Sequence, residues 1–307
     1  MGNTANSEQE ASRGFWFDGY AGGTWRGITL AAVGVLLAGL IGVRVGQTMK
    51  ATAPPKTAST GRATSAAAVP KPVLASVLEV SRIGTTAPGA KLLTLPKTVH
   101  AKTWAIGGKP AILYVGAEFC PFCAAERWAM VIALSRFGTF SNLHLMRSSA
   151  TDYAPNTPTF TFYGSRYQSA YVDFEPVELT TNKANASGNY PPLQKPTAFQ
   201  SSLLNKYDAP PYVPSQSAGD IPFVDIANHY LQVGSAFDPT LLDGRSWQAI
   251  ANAAVIAAKT GQTTGVGAQI VRAANALTRA ICETDGGKPV AVCTAKGVVS
   301  ALSGVKK

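Results

Sequence analysis
The 307-residue chain has only four cysteines and three histidines. So few cysteines exclude a small scaffold in which bridges replace a core. Charged residues make up only 14%, and no Gly-x-y period runs through the chain, which excludes coiled coils and collagen. Its 29 glycines and 20 prolines fall short of the share that marks a low-complexity chain. No Gly-x-Gly-x-x-Gly follows a strand and no Gly-x-x-x-x-Gly-Lys-Ser/Thr loop occurs, so no organic cofactor is expected. Gly-x-Ser-x-Gly, the elbow of many serine hydrolases, is also missing. His100, His144 and His229 form no cluster in the sequence, and no metal is expected. No basic stripe interleaved with aromatics crosses the folded part, which argues against nucleic acid as a partner.

What is present begins with an uneven N-terminus. Residues 1–26 are polar and glycine-rich, and Gly27 to Val43 then runs 17 residues without a charge. That length is at the short end of the roughly 17–25 residues that span a bilayer. Trp25 and Arg26 on one side and Arg44 on the other suit the interfaces. A transmembrane helix over 27–43 is the expectation. The competing reading is a cleaved leader at Ala51-Thr52-Ala53, but that site lies several residues past the apolar run and precedes Pro54-Pro55. Residues 44–72 read as a disordered Ala/Pro/Thr/Ser linker. Its Arg44, Lys50, Lys56, Arg62 and Lys71 suit anionic lipid headgroups. Counted strictly, these charges favour a cytoplasmic C-terminal part. The cysteines discussed below argue for the opposite side.

Residues 73–303 are enough for one sizeable α/β domain. Ala111-Ile-Leu-Tyr-Val-Gly116 reads as a buried parallel strand. Cys120-Pro-Phe-Cys123 follows, and Ala124 to Phe137 has helical spacing with Gly138 as its stop. The motif therefore stands at a helix N-terminus, where unpaired N–H groups and the helix dipole favour a thiolate at Cys120. Pro121 is tolerated in the first turn. Cys123 lies one turn along, where it serves as the resolving thiol. Zinc would need two further ligands, and c-type haem would need His rather than Ala at position 124. An inert bridge is the remaining alternative.

Gly108 to Trp128, with Glu118-Phe-Cys-Pro-Phe-Cys123 at its centre, resembles a domain-of-unknown-function family of prokaryotic, membrane-anchored, thioredoxin-like proteins. Asn156–Tyr163, Ile221–Gly234 and Ala280–Cys293 fit the same resemblance. It implies a thioredoxin-like fold with a β-hairpin/loop insertion at about 158–195 and C-terminal helices. It also implies a cis-proline beside the cysteines. Ile221-Pro222 is favoured over Thr157-Pro158, because Thr197 to Tyr207 supplies the helix required before it. Thr159–Tyr163 and Tyr167–Leu179 are expected to pair around Gly164-Ser165, and Phe223–Ile226 with Tyr230–Val233 around Ala227-Asn228-His229. Where thioredoxin has a buried Asp six residues before its first cysteine, this chain has Tyr114.

Helices are expected from Ser246 to Lys259 and from Gly267 to Ile281, both packed into the core. Cys282 and Cys293 read as a structural disulfide, with an electron-relaying pair as the alternative. Either implies an oxidising compartment, hence an extracytoplasmic domain. The expected function is a membrane-anchored thiol–disulfide oxidoreductase acting on extracytoplasmic protein thiols and disulfides, with a membrane protein as a possible redox partner. Cys120 and Cys123 carry the chemistry, while Ile221, Pro222 and Phe122 contact substrate. Glu118 and Glu126 are expected on the solvated surface. The alternative is a non-catalytic binding or assembly module on the same scaffold.

Overall fold
The computed structural model describes residues 67–82, 90–99 and 101–302. The expected membrane span at 27–43, the leader site and His100 lie outside them, as does the linker up to residue 66. No helix among the described residues is long and apolar enough to cross a membrane. The architecture is mixed α/β.

The central sheet is built on β4 (Lys109–Gly116). On one side β4 pairs antiparallel with β10 (Phe223–Ile226), which continues through a hairpin into β11 (Tyr230–Val233). The turn needs left-handed backbone at Ala227 (φ 56°) and Asn228 (φ 60°), the requirement of a tight hairpin. The short β2 (Lys97–Thr98) closes that edge. On the other side β4 meets β3 (Ala105–Ile106) and, over its whole apolar run, β9 (Asp173–Glu178) in parallel. Residues 158–195, expected as an insertion, thus contribute a strand to the central sheet.

Successive side chains of a strand face opposite ways, and here each face has its own core. Ile112, Tyr114, Phe174, Val224 and Ile226 pack under α2 (Pro121–Leu134), α4 (Trp247–Thr260), α5 (Gly265–Thr284) and α1 (Lys71–Arg82). Leu113, Val115, Val177, Phe223 and Leu231 pack with Leu203 and Tyr207 of α3 (Ala198–Tyr207). Thr197 caps α3 in a reciprocal box with Gln200. Ser246 caps α4 through the Ala249 N–H. Close packing of α4 on α5 depends on Gly267, where a Cβ would stand 2.0 Å from the Ala253 carbonyl oxygen.

The strand that follows the cysteine helix and β5, β6 (His144–Arg147), lies outside the central sheet. It pairs with β7 (Pro158–Thr161) and with β1 (Ala67–Ala68). β5 (Gly138–Ser141) pairs with β8 (Arg166–Ser169). The hairpin expected around Gly164-Ser165 is therefore replaced by two nested pairings. The physical reason is on β7. Trp128 Nε1 donates to the Pro158 carbonyl, Thr159 Oγ1 to the Ala124 carbonyl, and Trp247 Nε1 to the Thr159 carbonyl, which fixes β7 against α2 and α4. After α5, Cys282 and Cys293 form a disulfide that pins α6 (Val290–Cys293). α7 (Lys296–Val299) is the last helix among the described residues.

Candidate functional site
β4 ends at Gly116, and five residues later the chain enters α2 with Pro121 as its first helical residue. Cys120 is the N-cap, and its sulfur accepts the Cys123 N–H at 3.2 Å. Both cysteines are unbridged. The Cys120 thiol also faces the Ile221 carbonyl at 3.8 Å, across the cis Ile221–Pro222 bond. Thr157–Pro158 is not among the cis bonds of the described residues. The residues expected to contact substrate thus fall together: Cys120, Cys123, Phe122 and Ile221 share one apolar cluster with Ala117, Phe119 and Leu179, and Pro222 follows Ile221 directly. Cys282 and Cys293 belong to the larger core.

The site is more closed than its sequence suggests. Cys120 is 5% exposed and Cys123 0%. The surroundings of Cys120 run against the expected lowering of its pKa. Burial pushes the thiol well above its ordinary value, and the Cys123 sulfur pushes it the same way. The Cys123 N–H opposes this, while the Asp152 carboxylate adds to it.

The cover comes from a loop that sequence reasoning passed over. Ser149 donates its N–H to the Phe119 carbonyl at 2.9 Å, and the Tyr190 hydroxyl donates to Ser149 Oγ at 2.6 Å. Tyr190 stacks on Phe119 with ring centres 4.3 Å apart, and Tyr153 stacks on Phe122 at 5.8 Å. The one available signal was the placing of two tyrosines in otherwise polar loops.

Beneath the cysteines lies a buried ion pair. Arg127 on α2 donates Nε and Nη2 to the two carboxylate oxygens of Glu178 on β9, at 2.9 and 2.6 Å. Nη2 also donates to the Ala117 carbonyl. The Arg127 guanidinium sits 5.8 Å from the Tyr114 ring centre, and Tyr114 itself is buried. Glu118 and Glu126, expected in solvent, are buried as well. Glu118 accepts a hydrogen bond from the Thr161 hydroxyl at 2.7 Å. Glu126 accepts from the Ala236 N–H, and burial raises its carboxyl to about 7. Their positions on the inner faces of the turn and of α2 explain the correction. No group of three or more metal-ligating side chains occurs among the described residues.

Residues 96–283 match the model of a domain of unknown function, DUF929, and the chain belongs to that family. No curated protein and no solved structure matches the chain.

Proposed function
We propose that the protein is a thiol–disulfide oxidoreductase built on a thioredoxin-like scaffold and tethered to a membrane by residues 27–43. The observation that carries this reading is Cys120. Its sulfur caps a helix, lies one turn from Cys123 and faces the Ile221 carbonyl beside a cis-proline. The sheet order β9-β4-β10-β11, with β9 parallel to β4 and β10 antiparallel, supports the scaffold. So does the succession of strand, cysteine helix, strand, helix, hairpin and helix. In the reaction, the Cys120 thiolate attacks a substrate disulfide and a mixed disulfide forms. Cys123 then displaces the substrate thiol. The Cys282–Cys293 bridge supports an extracytoplasmic location.

A second reading rests on the burial of both sulfurs: a binding or assembly module whose cysteine pair never turns over. Redox titration of the full-length protein separates the two. A potential between about −270 and −120 mV, with disulfide turnover lost in Cys120→Ser, is the result expected of the enzyme. A potential below about −300 mV without turnover refutes it.

A further inference from the structure
The loop over Cys120 is anchored on both sides of that sulfur, by Ser149 on Phe119 and by Tyr153 on Phe122. Asp152 lies between the two anchors. Its Oδ1 accepts the N–H of Tyr153 at 2.6 Å, and among the described residues it has no ion-pair partner. Burial raises its carboxyl, and its charge makes Cys120 harder to ionise. The Tyr153 hydroxyl is pushed up by partial burial and, less, by the Asp238 and Asp243 carboxylates. Two arginines of this part of the chain have other partners. Arg147 lies over the Trp247 ring and donates to the Asn156 carbonyl, while Arg245 donates to the Leu241 carbonyl. In a chain of net charge +10, the carboxylate nearest in effect to the dithiol is thus Asp152.

We propose that Asp152 selects polypeptides with a lysine or arginine beside the reacting cysteine, and that pairing with this cation eases the ionisation of Cys120. The inference rests on the oxidoreductase reading above. A carboxylate half withdrawn from water gains from an opposite charge within a few ångströms. The same pairing cancels the share that the Asp152 charge adds to the larger effect of burial on the thiol. The rest of the site (Phe119, Phe122, Leu179 and Ile221) accepts uncharged side chains. The Cys120 proton leaves to solvent. The thiolate forms a bond to one substrate sulfur as the substrate S–S bond breaks, and the departing sulfur takes up a proton. Cys123 loses its proton, bonds to the Cys120 sulfur and expels the second substrate thiol. The protein dithiol is oxidised by two electrons and the substrate disulfide is reduced by two.

The test uses the reduced full-length protein and two peptide disulfides of one sequence, with Lys or Glu next to the cysteine. Single-turnover rates are followed at neutral pH. The Lys peptide is expected to react about three- to tenfold faster at low salt, against the direction in which the net charge of the chain steers peptides. The preference is expected to shrink as salt rises. Asp152→Asn levels the two rates and lowers the pH midpoint of Cys120 alkylation, whereas Asp152→Glu retains the preference. Equal rates in the unmutated protein, or a preference that survives in Asp152→Asn, overturn the inference alone. No reaction with either peptide overturns the oxidoreductase reading and this inference with it.

Discussion

The Arg127–Glu178 pair joins the cysteine helix to the strand beside β4, and both side chains are fully buried. Glu178 accepts two hydrogen bonds from the guanidinium and one from the Phe162 N–H at 3.3 Å. Arg127→Met leaves that carboxylate with the amide alone, and Glu178→Gln leaves the guanidinium charge without a counter-ion. Removing one member of such a pair costs about 3–5 kcal/mol, because the survivor is an uncompensated charge out of water. With a urea slope of about 2 kcal/mol per molar, the unfolding midpoint falls by about 2 M. Arg127→Met combined with Glu178→Leu removes both charges and is expected to recover most of the loss. The departure from additivity then measures the coupling. The assay is equilibrium unfolding of the full-length protein in mild detergent, followed by circular dichroism. A loss below about 1 kcal/mol in either single variant refutes the reasoning, since that is the worth of a pair in contact with water.

Two other predictions concern stability. Burial holds Glu126 at about 7, above its ordinary 4.5. Its protonated form therefore favours the folded state fully below about pH 4.5, and that contribution is gone once pH has risen through 7. Glu126→Gln removes the decline. Between pH 5 and pH 8 the unmutated protein should lose on the order of 2–3 kcal/mol more stability than the variant, and matching pH profiles would count against the raised carboxyl. Gly267→Ala tests the approach of α4 to α5. Intrinsic helix preference favours Ala by about 1 kcal/mol, but the new methyl meets backbone that has no side-chain freedom to yield. A net loss of about 1–3 kcal/mol is expected in thermal unfolding, and a gain would mean that the helices are not in contact there.

The parts of the fold legible in the sequence are those whose cause is local. The apolar run 111–116, the helix behind Cys120, the Thr197 and Ser246 caps and the 223–233 hairpin all follow from neighbouring residues. Phe199, at helical spacing from the buried Leu203 and Tyr207, is half-exposed and tilted against Trp104. Asp173–Glu178 was not legible as a central strand because Asp-Phe-Glu-Pro-Val-Glu has the charges of a surface segment. Each charge is answered from elsewhere in the chain: Asp173 by Lys109, Glu175 by Gln200 and Glu178 by Arg127. Pro176 is tolerated because the strand pairs with β4 alone. Such compensation depends on contacts far apart in sequence, which spacing and composition do not report. The same holds for the loop that carries Asp152, which folds back on Phe119 and Phe122 some thirty residues earlier.

The Cys120 sulfur shows how two correct arguments are ranked by magnitude. A helix N-terminus stabilises an anion by about 0.3–1 kcal/mol, and by up to about 2 in sheltered geometry. Withdrawal of an ion from water costs several kcal/mol. Placement at the head of α2 alone favours the thiolate, but closure by Phe119, Phe122 and Ile221 outweighs it. The Ile221 carbonyl adds a preference for the S–H form, because it can only accept. A thiol held this way is quiet until something alters its surroundings. On the oxidoreductase reading proposed above, the reactive state is made by the arriving polypeptide, which takes over the Ile221 carbonyl and brings its own charge to Asp152. On that reading a dithiol silenced at rest and released by its substrate would resist stray oxidation, with specificity placed in the ionisation step as well as in binding.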